Sequence, residues 1–297
     1  MSFPSKRIRT AIFAGVASCL AFAGAHAEET TGVFKDSSRI VAVGGAITEI
    51  VYALGEQDHL VARDSTGLYP PEAAKLPDVG YMRALSPEGV LSVNPTGILA
   101  LNTSGPKETI DVLKKASVPY IEVPETFDHE GVVEKIRIVG TALGADDKAE
   151  KLVAAVETKL EAAEKLTSGI NERKRVLFIL SVQDGKIMGS GTGTAANGII
   201  QLAGGVNAIE GFPGYKQLSD EAILTAAPDV ILMMNRGGDH AAASSEILSL
   251  PALASTPAGK AGKLVRMDGG YLLGFGPRTA DAVHDLAVAL YGDELKD

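Results

Sequence analysis

From residue 39 onward, short apolar runs bounded by glycine or polar turns alternate with stretches of helical periodicity. Arg39–Val43 reads as a buried strand, turned by Gly44-Gly45 into a helix over Ile47–Leu54 that Gly55 closes. His59–Ala62 is the next strand, and 63–85 is irregular, punctuated by Pro70, Pro71, Pro77 and Gly80. Ser86 caps a helix with Pro87 at its first position; Thr96–Leu101 reads as a buried strand, Lys107–Ala116 as a helix and Pro119–Val123 as a fourth strand. The stretch from His129 to Leu166 is helical but interrupted by Gly140 and Gly144, so it is either two helices or one with a bend. A second alternation follows: strand Arg175–Ser181, hairpin partner Lys186–Gly189, helix Ala195–Leu202, strand Val230–Met234, a helix near Ala241–Leu248, strand Leu264–Met267 and a last helix from Pro277 to Leu290. Strands alternating with helices imply mostly parallel sheets covered on both faces. The pattern predicts an α/β chain of two Rossmann-like lobes, residues 28–128 and 169–297, joined by a long rigid helical connector over 129–168.

The two halves also repeat one another. Leu85–Leu101 returns 133 positions later as Leu218–Met234, with identities at Leu85/Leu218, Ser86/Ser219, Glu88/Glu221, Leu91/Leu224, Pro95/Pro228, Ile98/Ile231 and Leu99/Leu232. Such a period is too long for a solenoid and fits two lobes of similar build, with a ligand cleft expected between them.

Residues 1–27 change the picture at the front of the chain. Lys6, Arg7 and Arg9 precede an apolar run over Ala11–Ala23, and Ala25-His26-Ala27 has the small-x-small pattern of a signal-peptidase site, so cleavage is expected after Ala27 and export to the periplasm follows. Val16-Ala17-Ser18-Cys19 resembles a lipobox, the competing reading, in which Cys19 carries lipid. Removing the leader leaves 25 basic against 37 acidic residues, a balance of −12, because Lys6, Arg7 and Arg9 are its only charges. That acidity disfavours nucleic acid and anionic membrane surfaces as partners. With Cys19 gone no thiol remains, so the fold depends on its core and the mature chain is expected to be soluble.

Candidate chemistry is sparse. Of the mature histidines His59, His129, His240 and His284, only His240 is placed to face a cleft, so a free-metal site is disfavoured. No G-x-S-x-G elbow occurs, and Gly189–Gly193 lacks the Lys-Ser/Thr ending of a phosphate loop, so no enzyme is expected. Glu88 and Glu221 occupy matching first-turn positions, where the helix dipole alone accounts for a carboxylate and a docking pair for a partner with two basic sockets is the sharper reading. The loop Asp64–Pro71 presents Tyr69 from a support stiffened by two prolines, at the strand end where open α/β sheets bind ligands. A phenolate is a hard oxygen donor suited to ferric iron and is a recognised haem ligand. Arg236 and Arg83 are cations near the same edge, and Leu68, Met82, Leu272, Leu273 and Phe275 are candidates to line an apolar slot.

The order of Asp64-Ser65-Thr66, Tyr69-Pro70, Leu76–Arg83, Leu85–Gly89, Gly189–Asn207 and Gly274-Phe275-Gly276-Pro277-Arg278-Thr279 resembles the periplasmic haem-binding proteins of bacterial haem ABC importers, across essentially the whole mature chain. These belong to the class III, helix-hinged binding proteins for siderophores, cobalamin and haem. The resemblance implies ferric haem b as the transported ligand, Tyr69 as axial ligand to its iron, and Arg236 beside that oxygen. Arg83, Leu68, Met82, Tyr81, Phe275 and Leu272 would form the rest of the pocket. It further implies that Glu88 and Glu221 meet arginines of an inner-membrane ABC permease dimer with its ATPase subunits, and hence a role in iron acquisition. With no histidine in 189–205 to hold a second haem, one haem is expected. The alternatives are the same scaffold binding a ferric siderophore or cobalamin, and an exported enzyme acting on haem.

Overall fold

The computed structural model describes residue 1, residues 32–235 and residues 244–295. The leader, with Cys19 and Ala27, and the segment holding Arg236 and His240 lie outside the described residues. The first lobe is built from β1 (Ile40–Val43), α1 (Gly45–Ala53), β2 (Leu60–Arg63), α2 (Pro87–Leu91), β3 (Gly97–Leu101), α3 (Lys107–Lys115) and β4 (Tyr120–Val123). Its four strands are all parallel in the order β2-β1-β3-β4. Every residue of β1 and β3 is buried, as continuous apolar strands must be when helices cover both faces.

The connector resolves into two helices, α4 (His129–Ala142) and α5 (Asp146–Leu166). Gly144 takes a left-handed φ of +68° between them, and the Ala145 amide donates back to the Gly140 carbonyl at 2.8 Å. Gly140 then allows close approach, since a Cβ there would stand 2.3 Å from that of Ala149. The interruption seen in the sequence is therefore a helical hairpin, not a bend.

The second lobe comprises β5 (Arg175–Gln183), β6 (Lys186–Ser190), α6 (Ala195–Leu202), β7 (Val206–Asn207), β8 (Tyr215–Gln217), α7 (Asp220–Ala226), β9 (Val230–Asn235), α8 (Ser244–Leu248), α9 (Pro251–Ala254), α10 (Pro257–Ala261), β10 (Leu264–Asp268), α11 (Gly269–Leu273) and α12 (Thr279–Tyr291). Its six-stranded sheet runs β10-β9-β5-β6-β8, with β7 also beside β5. The β5–β6 hairpin and β8 are antiparallel additions to a parallel centre. One core is continuous from Val41 and Ile98 through Ile136 and Leu160 to Phe178 and Leu286, so connector and both lobes share buried surface. A smaller core around Leu177, Ile231 and Leu253 fills the other face of the second sheet.

Candidate functional site

Asp64 organises the loop after β2. Its side chain is fully buried and accepts the Gly44 amide at 2.9 Å, the Thr66 amide at 3.0 Å, the Met82 amide at 3.2 Å and the Thr66 hydroxyl at 2.9 Å. Burial pushes this carboxyl up from 3.8, with those donors opposing the shift. A second clasp lies beside it. Arg63 donates to Asp78 at 2.7 Å, the Ser65 hydroxyl to Asp78 at 3.0 Å, and the amides of Val79 and Ser65 to the carbonyls of Arg63 and Gly80. Burial alone would raise the Asp78 carboxyl, but the Gly80 amide, Ser65 and Arg63 together hold it below 3.8. The chain between these clasps is thus a closed loop with Leu68 and Tyr69 outside it, 57% and 44% exposed.

Tyr69 is met by the second lobe. The Arg278 guanidinium carbon stands 3.5 Å from the Tyr69 ring centroid, a stacked cation–π contact. Glu49 of α1 fixes that guanidinium, accepting Nε at 3.0 Å and Nη2 at 2.8 Å on one oxygen and the Arg278 amide at 3.0 Å on the other. Such charge-assisted pairing is short and directional. A second ring, Tyr271, lies 5.4 Å from the same guanidinium. Its hydroxyl donates to Asp285 at 2.9 Å, and burial first, then that carboxylate, pushes its pKa well above 10. The Tyr69 hydroxyl has no such partner among the described residues, so of the two phenols flanking Arg278 it alone is free to bond a ligand.

The other expected residues divide. Tyr81 and Arg83 are exposed on the same edge. The Arg83 charge acts on the hydroxyl of Tyr215 in the second lobe, whose pKa burial raises while Thr194, Arg83 and the Ala196 amide oppose the rise. Met82, Leu272 and Phe275 are 7%, 0% and 1% exposed and belong to the core, so the expectation that they line an open slot is corrected. Met82 is drawn inward when its amide binds Asp64, and Phe275 is held edge-on against Phe127 at 5.2 Å. Arg236, chosen as the cation beside Tyr69, lies outside the described residues; Arg278 is the arginine found there. The sequence reading missed Arg278, Glu49 and Tyr215. Arg278 stood inside the quoted Gly274–Thr279 segment, but its pairing with Glu49 spans 229 positions.

Glu88 and Glu221 are both exposed in the first turns of α2 and α7, whose capping serines accept the Gly89 and Ala222 amides at 3.0 and 3.1 Å. Beside Glu221 a hollow of about 490 Å³ is walled by Ile209, Phe212 and Leu218. A larger one of about 660 Å³, between the end of α5 and α6, includes none of the Tyr69 group. No set of three or more metal-ligating side chains occurs among the described residues. No described helix is long and apolar enough to cross a membrane.

A two-lobed α/β chain with helical connection and an interlobe site has the build of a substrate-binding protein. The chain belongs to the family described as Periplasmic binding protein, which matches residues 40–271. Among solved structures it is similar to the periplasmic heme-binding protein RhuT from Roseiflexus sp. RS-1 in apo form, with 40% identity, a TM-score of 0.81, and coverage of 86% of this chain and 98% of that one. It is likewise similar to the periplasmic heme-binding protein BhuT in complex with two hemes, with 38% identity, a TM-score of 0.81, and coverage of 85% and 97%. An uncharacterized ABC transporter substrate-binding lipoprotein, YvrC of Bacillus subtilis (strain 168), shares 29% identity over 89% of this chain and 83% of its own. Curated relatives at 26% and 25% identity are named cobalamin-binding and vitamin B12-binding protein. The chain is therefore a binding protein of the haem, cobalamin and siderophore class.

Proposed function

We propose that this protein binds ferric haem between its lobes, through the Tyr69 oxygen, and delivers it in the periplasm to an inner-membrane ABC permease. The observation that carries the reading is the free Tyr69 hydroxyl on a doubly clasped loop, its ring covered by the Glu49-bound Arg278 of the opposite lobe. A phenolate bonds ferric iron directly, and a cation held against the ring stabilises the negative charge the ligand carries. Arg83, Tyr81 and Leu68 supply an accessible charge and apolar surface on the same edge. The solved structures nearest in identity among those described above are named for haem binding, which supports haem over the other cargoes of the class.

Glu88 and Glu221 are the proposed contacts to the permease dimer, one from each lobe. In this reading the lobes, 28–128 and 169–297, move little about the 129–168 connector, because one core runs through all three. One haem rather than two is expected, since Gly189–Gly205 offers no histidine. The same scaffold binding cobalamin is the second reading, favoured by the names of the curated relatives. Titrating the apo-protein in parallel with haemin, cyanocobalamin and a ferric siderophore decides between them. Saturable uptake of haemin alone at one equivalent is expected, and preferential binding of either other ligand overturns the assignment.

A further inference from the structure

Lys135 of α4 is completely enclosed, with 0% of its surface exposed. Its ammonium donates to the Phe275 carbonyl at 3.2 Å, the one hydrogen bond it makes among the described residues. Burying an ammonium with a single acceptor is unfavourable relative to an apolar side chain of like volume, so core packing does not explain the choice of lysine. Phe275, its acceptor, has a left-handed φ of +49°, a conformation that bulky side chains rarely adopt. Three residues on is Arg278. The chain between is fitted against α1, where a Cβ on Gly276 would stand 3.3 Å from the Glu49 carboxylate and 3.5 Å from Ala46. The second lobe's loop over 274–278 is thus gripped at its far end by Glu49 and at its near end by Lys135.

We propose that Lys135 is a positioning residue for the ligand site: by holding the Phe275 carbonyl it fixes the reversed backbone that lays Arg278 over Tyr69. This rests on the reading of Tyr69 as the iron ligand. Lys135 has no exposed surface and acts on the cargo only through the loop. Its burial pushes its pKa below 10.5, with only Glu125 opposing.

The test compares Lys135→Met with wild type in the mature protein. Hydrogen exchange of the amides of 274–276, 278 and 279 should quicken at least tenfold while those of β1 and β3 are unchanged, and haemin affinity should fall at least tenfold with an altered ferric spectrum. In an Arg278→Gln background the same Lys135→Met change should have little further effect on affinity, because both act on one contact. Unchanged loop exchange, or losses that add independently, overturn the proposal. Should Met not be accommodated, Lys135→Gln, a shorter arm that keeps a donor, must show the same losses at smaller size. If wild type takes up no haemin, the haem reading has failed, and loop exchange alone still decides whether Lys135 holds the loop.

Discussion

The two copies of the repeated segment are alike in their supporting parts. In each, a serine caps a short helix through the amide three residues on, an exposed glutamate follows, and the next strand is a largely buried interior strand of its sheet. Outside that repeated segment the halves diverge. The first lobe carries a long loop clasped by Asp64 and Asp78 with Tyr69 outside it, and the second carries a tight turn that delivers Arg278. In the proposed reading, the shared elements serve what both lobes must do, standing on a common partner and covering a sheet. The proposed ligand chemistry resides where the resemblance between halves stops.

That contrast is broken most severely at the shared glutamates. Reversing both, Glu88→Lys with Glu221→Lys, should abolish haem transport in vesicles carrying the permease, while haemin affinity stays within about twofold and stability falls by about 0.3–1 kcal/mol per site from the helix dipole. Loss of haemin binding in this variant would assign the pair to the fold instead. A smaller effect is expected in the first lobe's own loop. Asp64→Ala leaves the Gly44, Thr66 and Met82 amides without their acceptor and should destabilise the protein by about 3 kcal/mol in a urea titration, with weaker haemin binding. A stability change under about 1 kcal/mol would mean that water replaces the carboxylate and that the loop is held by Asp78 alone.

The smallest effect lies in the pH dependence of the second lobe's grip. The folded state depresses the Lys135 pKa, so between the folded value and 10.5 the unfolded chain binds the extra proton and stability gains with rising pH. Below the folded value the penalty is present in full. Wild type should therefore gain on Lys135→Met as pH rises toward 10.5, by at most about 1.4 kcal/mol per pH unit. A constant difference across that range would show that Lys135 does not change its proton affinity on folding.

Much of the scaffold was readable in the chain because it depends on local pattern. The buried runs at Ile40 and Ile98, the Ser86-Pro87 cap and the Gly144 break each have a physical signal within a few residues. The candidate site was only half readable. Tyr69 announced itself through its prolines and its place after β2, but Asp64 looked like an ordinary loop residue until four donors converged on it. Met82, Leu272 and Phe275 are apolar, and periodicity does not distinguish the wall of a slot from the core behind it. Arg278 depended on Glu49 and on a reversed backbone at Phe275, neither of which leaves a local pattern.

The central claim is that the Tyr69 oxygen bonds the cargo's iron, and Tyr69→Phe removes that one atom while keeping the ring under Arg278. Wild-type protein with haemin should show the ferric spectrum of a phenolate-ligated haem, and Tyr69→Phe should lose that signature together with at least a hundredfold in affinity. An unchanged spectrum and affinity in Tyr69→Phe would contradict the account.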